Sequence, residues 1–433
     1  MNRDELEFEG VGEIAMVTTH ASHRISQQKA RSILQTLKGR NVPEATELDY
    51  FTVGDHFRQV MLNLELEMLG LLSSPRAIER RIIGGFGTGK THVLSYIDWM
   101  LQCNSPADSV ISRIDLSKLE RPSDLELLIV REMRPVEGGN YVQLLREAYF
   151  RIQNRYMAEY RGVTQKDIEY FFGTVLFGML GAATGGVISP GLLNLLNTSS
   201  PIERFKQFWA GNTIQEIFNR DRIRVGDVYG RFVDDYLQLI RNPNAPPGVF
   251  ETTARELSAQ SKLADLILRV LAFAGIKMVV VLADELESLK RFDEPTMQQS
   301  LVAIRVFRDS FDSANRGEYP SIAFICASTL EFAGEQLRKS EPALHSRWDF
   351  RDDVIDLRPL TEADLDALIF RLRDLFYLAG KDLRAVDGSP SGDHEVIMMR
   401  KEIMEEYAAA SETLTSRTLI PRVIKAIENT WLK

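Results

Sequence analysis

The stretch that most limits what this chain can fold into is Arg81-Ile-Ile-Gly-Gly-Phe-Gly-Thr-Gly-Lys-Thr-His92. Within it, Gly84, four residues and then Gly89-Lys90-Thr91 match the phosphate-loop pattern G-x-x-x-x-G-K-[ST]. Glycines let the backbone curl until its N–H groups converge on phosphate oxygens. Lys90 is then placed to reach the β- and γ-phosphates, and the Thr91 hydroxyl to ligate Mg²⁺. Gly84, Gly85, Phe86, Gly87, Thr88, Gly89, Lys90, Thr91 and His92 together form the predicted nucleotide cradle. Ile82 and Ile83 read as the end of a buried strand, and Val93, Leu94, Ile97 and Leu101 as the stripe of a helix over roughly 90–101. That helix would aim its positive N-terminal end at the bound anion. A Gly-rich turn that binds nothing would not need the strand, the lysine, the threonine and the helix together. The expected ligand is a nucleoside triphosphate.

The rest of the chain supplies the partners such a loop needs. A buried strand, Met278-Val-Val-Val-Leu-Ala283, runs into Asp284 and Glu285. Beside a phosphate loop, Asp284 would hold Mg²⁺ through water and Glu285 would polarise the attacking water. Alone, the same pair could be two solvated carboxylates. The next strand, Ser321–Ala327, ends in Ser328-Thr329, whose polar tip could either touch the γ-phosphate or cap a helix. Arg347, in Ala343-Leu-His-Ser-Arg347, is either a surface arginine or a finger that reaches a neighbouring subunit's γ-phosphate. Near the C-terminus, Pro421 is expected to open the last helix and to put Arg422 in its first turn.

Composition narrows the class. A chain of 433 residues is too long for one small core. Its net charge of −9 argues against a dominant nucleic-acid surface, although a local basic groove remains compatible with it. Cys103 and Cys326 lack metal spacing and suit a reducing cytosol. The acidic N-terminus has no apolar segment of the kind a signal peptide carries, so a cytoplasmic protein is expected.

Read in order, 1–54 is an N-terminal arm with a helix from Ser26, followed by an extended piece at 50–54. A long helix over 55–72 leads into the phosphate-loop strand. Ser109–Asp115 reads as a strand beside the first one, and 121–165 as helical. The ATPase-type core spans 55–350, with a helical, glycine-rich apolar insert at about 121–250 and a C-terminal helical lid over 351–433. Within the insert, Tyr170–Ile202 carries no charge. It is long enough to cross a bilayer, but its glycines and Pro190 would break a straight span. The favoured reading is a buried or partner-facing helical hairpin, with membrane insertion the alternative. Residues 203–242 read as amphipathic helix, Asn242–Gly248 as a loop, and Thr253–Gly275 as a second helix block. Thr361 is expected to cap a helix, with Asp364 completing a capping box.

This order of parts resembles the AAA+ ATPases of the origin-recognition branch, and more closely the ATP-binding proteins of bacterial BREX-type phage-defence systems. The closer resemblance rests on Leu37-Lys-Gly-Arg-Asn-Val-Pro43 and Phe51-Thr-Val-Gly54, and on Ala274-Gly-Ile-Lys-Met-Val-Val-Val-Leu-Ala-Asp-Glu-Leu-Glu287. It rests also on Phe324-Ile-Cys-Ala-Ser-Thr-Leu-Glu-Phe332 and Ala343-Leu-His-Ser-Arg347. It implies an α/β fold: a P-loop AAA+ core with a parallel sheet, a helical insert and a helical lid. It implies ATP and Mg²⁺, with Lys90 and Thr91 on phosphate and metal, and Asp284 and Glu285 as the acidic pair. Thr329 becomes the strand-tip sensor, Arg347 the finger and Arg422 the lid arginine. The implied partners are other proteins of a defence complex, with self-association through Arg347 and DNA as further possibilities. Two functions fit the motifs: an ATPase, which Glu285 favours, or a nucleotide-gated interaction module in which binding rather than turnover controls assembly.

Overall fold

The computed structural model describes residues 26–38, 55–74, 76–104, 108–159, 227–242, 248–309, 311, 314, 319–348, 354–358, 360–380, 393–410 and 416–431. In chain order its elements begin with helices α1 (Gln27–Lys38) and α2 (Asp55–Ser73), strand β1 (Ala77–Gly84) and α3 (Lys90–Asn104). Then come β2 (Ser109–Asp115), α4 (Leu125–Arg131), β3 (Met133–Pro135), α5 (Tyr141–Glu159), α6 (Asp227–Arg241), α7 (Gly248–Ala259) and α8 (Leu263–Phe273). Next are β4 (Met278–Asp284), a 3₁₀ helix over Leu286–Arg291, α9 (Glu294–Asp309) and β5 (Ser321–Thr329). A π-helix over Phe332–Gln336, α10 (Pro342–Trp348), β6 (Val354–Leu357), α11 (Glu362–Leu378), α12 (Asp393–Ala410) and α13 (Ser416–Trp431) follow.

The chain divides into two compact units, 55–359 and 1–54 with 360–433. In the larger unit, six strands form one sheet in the order β3-β2-β4-β5-β1-β6. Only the β2–β3 pair is antiparallel. All residues of β4 and β5 are buried, as near-continuous apolar runs covered on both faces must be. Period-two alternation divides them between two layers. Val280, Leu282, Ile325 and Ala327 pack with α2 and α3, whereas Val279, Val281, Phe324 and Cys326 face the core that includes α5 to α9. Each fully buried aliphatic chain in these layers contributes about 1.5–3 kcal/mol.

This order corrects the expectation that β2 lies beside β1, because β4 and β5 stand between them. The two wholly buried strands take the centre, while the first four residues of β1 are only half-buried. Three further expectations need correction. The span 121–165 is not continuously helical, since β3 pairs with β2 at the edge of the sheet. An edge strand tolerates Pro135, which has no N–H to give a further neighbour. Gly248 begins α7 rather than closing a loop. Pro421 lies inside α13, which starts at Ser416. Its missing N–H therefore costs the helix a bond that a proline in the first position would not. The residues 160–226, with the uncharged Tyr170–Ile202 stretch, and the extended piece at 50–54 lie outside the described residues. Among the described residues, no helix is long and apolar enough to cross a membrane.

In the smaller unit, α1 buries Ala30, Ile33, Leu34 and Leu37 against the apolar stripes of α11, α12 and α13. The N-terminal helix thus shares a core with the C-terminal helices, whereas β6 (354–357) belongs to the larger unit, where it pairs with β1. The Arg31 Nε–H donates to the Ala379 carbonyl at 2.9 Å, tying α1 to the end of α11. Thr361 and Asp364 form the expected capping box at the start of α11.

Candidate functional site

Parallel strands leave their carboxyl ends at one edge, and in open α/β sheets ligands bind just outside those ends. In this sheet that edge gathers Gly84 at the end of β1, Asp284 at the end of β4 and Thr329 at the end of β5. Thr329 stands in register with Gly84 on the adjacent strand.

The phosphate loop spans the gap from β1 to α3. Gly87 (φ 74°) and Gly89 (φ 99°) take left-handed backbone conformations that side chains with a Cβ rarely adopt. A Cβ on Gly84 would lie 2.4 Å from Thr88 Oγ1, so that position also requires glycine. Lys90 is buried, and its Nζ donates to the carbonyls of Gly84 at 3.1 Å and Gly85 at 2.9 Å. Burial pushes its pKa down, opposed by the carboxylates of Glu287, Asp284 and Glu285. Three acids therefore surround one buried cation at the place where phosphate charge would arrive.

Thr91 Oγ1 donates to Asp284 Oδ2 at 2.8 Å. A hydroxyl and a carboxylate brought together this way offer two hard oxygen donors, which fit Mg²⁺. Among the described residues no group of three or more His, Cys, Asp or Glu forms a metal cluster. Such a site would leave its remaining positions to water and phosphate, as Mg²⁺ prefers.

Glu285 follows at once. It is exposed and sits in the left-handed region, with φ 58° and ψ 47°. Its N–H donates to Asp284 Oδ1 at 2.9 Å. A non-glycine residue in this conformation is held there by its surroundings, and such residues cluster at active sites. Thr329 is buried, and its Oγ1 accepts the Phe332 N–H at 3.4 Å. Its hydroxyl thus performs the helix-capping role while its strand tip lies beside the loop.

The remaining predicted residues lie as follows. Phe86, at the top of the loop, is 72% exposed, and Lys90 Nζ is 5.8 Å from its ring centroid. His92 packs against Phe57 with ring centroids 5.4 Å apart, and burial pushes its pKa down to about 4. It is neutral at physiological pH. Arg347, on α10, pairs with Asp309 at the end of α9 at 3.3 Å. Arg422 lies in α13, in the smaller unit. The site also contains an acid that the motif reading left without a role. Glu287 accepts the Thr329 N–H at 3.1 Å and is the foremost of the charges that support Lys90. The signal was its place in the Asp-Glu-Leu-Glu run, two residues past Glu285.

Strand, glycine loop, lysine-threonine helix start and facing aspartate define a P-loop-type α/β nucleotide-binding protein. The model of one family, described as "BREX system ATP-binding protein BrxC/D", matches residues 25–126 and 256–430. The chain belongs to that family of phage-defence ATP-binding proteins. No curated protein and no solved structure matches it.

Proposed function

We propose that this chain is a Mg²⁺-dependent AAA+ ATPase working with other proteins of a phage-defence complex. The observation that carries this reading is the 2.8 Å contact of Thr91 with Asp284, with Glu285 as the next residue. A protein built only to hold nucleotide has no need of a second carboxylate beside the metal-type acid. Bound Mg²⁺ would supply charge neutralisation of the phosphates. The chain's own residues do the rest. Loop N–H groups and Lys90 bind the phosphates, and Thr91 and Asp284 hold the metal. Glu285 orients the attacking water and takes its proton. In this reading Thr329 senses the γ-phosphate, and Arg347 completes a neighbouring site on self-association. The helices carrying Arg422 act as a lid. Burial of neutral His92 against Phe57 keeps the start of α3 packed behind the loop.

The deciding experiment measures phosphate release by the purified full chain with ATP and Mg²⁺, against Glu285→Gln. Turnover by the parent and ATP-bound arrest of the variant are expected. Equal rates in both would remove Glu285 from the chemistry. ATP binding without turnover in the parent would instead support the nucleotide-gated module.

A further inference from the structure

The two most distinctive runs of the sequence, Asp-Glu-Leu-Glu and Ala-Ser-Thr-Leu-Glu-Phe, lie at the tips of adjacent parallel strands. The β4–β5 ladder ends at the pair Ala283 and Cys326. Strand β5 continues to Thr329 in register with β1 alone. Where the ladder stops, a side chain takes over. The Thr329 N–H donates to Glu287 Oε2 at 3.1 Å. An outer tie joins the same two segments, with Lys290 Nζ donating to Glu331 Oε1 at 2.7 Å, but Glu331 is 83% exposed. Water screens an exposed pair of that kind, so the half-buried Glu287 bond is the stronger link. The chain beyond Glu331 then forms the π-helix Phe332–Gln336, a rare geometry that is frequent at functional sites.

These ties bear on Glu285. Its carbonyl accepts the Ser288 N–H at 2.9 Å, which makes it the first turn of the 3₁₀ helix that contains Glu287. The far end of that helix is held by Arg291, which donates to the carbonyls of Ser117 and Leu119 after β2. Glu287 is the hold on the opposite side, toward Thr329 and the phosphate loop. Glu285 precedes both anchors in the chain, and its carbonyl's bond to Ser288 ties its backbone to the helix that they hold.

We propose that Glu287 is a positioning residue for hydrolysis, fixing the tip of β5 and Thr329 against the segment that carries Glu285 through its bond to the Thr329 amide. The inference rests on the ATPase reading above. It separates geometry from charge, because Glu287 also supports the Lys90 cation.

Two variants divide these roles. Glu287→Gln keeps an oxygen that can accept the Thr329 N–H and loses the charge. Glu287→Asp keeps the charge and is one methylene too short to reach. With the full chain, kcat, KM, ATP affinity by calorimetry and melting temperature are measured for each, with Glu285→Gln as the arrested control. Misplacing a reacting group by about 1 Å can cost about a hundredfold, so Glu287→Asp is expected to lower kcat by about ten- to a hundredfold. Its ATP affinity should stay within about threefold of the parent, because the phosphate ligands are untouched. Glu287→Gln is expected to retain clearly more of the parental kcat than Glu287→Asp, since the hydrogen bond survives although the charge beside Lys90 is lost. Parental kcat in Glu287→Asp, or equal loss in both variants, overturns the proposal. So does a parallel fall of affinity and melting temperature, which would mark a structural role. A parent that binds ATP without hydrolysing it overturns the ATPase reading and this inference together. Loss in Glu287→Asp beside a working parent and Glu287→Gln leaves both standing.

Discussion

Thr91 and Asp284 stand 193 residues apart in the chain and meet at 2.8 Å. Neither residue is special by itself. A threonine begins many helices, and an aspartate ends many strands. The sheet order brings them together, because β1 and β4 flank β5 and end at the same edge. The hydrogen bond also satisfies Asp284, which is buried, since a buried carboxylate needs a donor.

Thr91→Ala and Asp284→Asn should therefore be non-additive. Each is expected to reduce Mg²⁺-dependent turnover by at least about a hundredfold, and the double variant should be little worse than either. Residues in one hydrogen-bonded network usually couple by about 0.5–3 kcal/mol. Phosphate release titrated against Mg²⁺ checks this. Fully additive losses would mean that the two residues serve separate functions.

Lys90→Ala should abolish turnover and weaken ATP binding by at least about tenfold, because it removes the cation that sits against the loop carbonyls of Gly84 and Gly85. The variant should still fold, since the lysine is buried at a cost that its removal relieves. Calorimetric titration with ATP decides it. Affinity equal to the parent would take Lys90 out of the nucleotide site.

Much of this site could be read from the residues because its chemistry is local. The phosphate loop, the strand before it and the helix after it occupy one short stretch, and Val93, Leu94, Ile97 and Leu101 are all buried as their spacing requires. The capping box at Thr361 was legible for the same reason. Strand order was not, since nothing in Ser109–Asp115 says how many strands separate it from β1. Met133–Pro135 was hidden because an edge strand this short needs no apolar alternation. The role of Glu287 escaped because its partner is a backbone N–H, which every residue but proline carries. Such a contact leaves no mark on composition or spacing.

Arg347 tests the assembly part of the reading. Within the chain it pairs with Asp309, and both side chains are more than one-third exposed, at 37% and 41%. A pair this wet is worth about 0–1 kcal/mol, so a phosphate on a neighbouring copy could displace Asp309. Arg347→Ala should leave ATP affinity unchanged in dilute protein. It should lower turnover at least about tenfold at concentrations where the parent self-associates. Rates measured across protein concentration, alongside light-scattering mass, test this. Identical rate curves for variant and parent would return Arg347 to the ordinary surface.

Glu126 makes a prediction about stability alone. It is buried and accepts the Ala264 N–H in the first turn of α8 at 3.1 Å. Desolvation pushes its pKa up to about 7 from 4.5, against the backbone hydrogen bonds of Ala264 and Leu263, which favour the charged form. Between those two values the folded chain keeps a proton that the unfolded chain has released. The stabilisation is therefore full below pH 4.5 and is lost as pH rises through about 7. Glu126→Gln keeps an acceptor for the Ala264 N–H and removes the charge, so it should be insensitive to that window. At pH 8 it should exceed the parent by about 3 kcal/mol, and at pH 4.5 the difference should largely vanish. Urea midpoints of both proteins at the two pH values measure this. A variant no more stable than the parent at pH 8 would mean that the carboxylate is comfortably ionised where it stands.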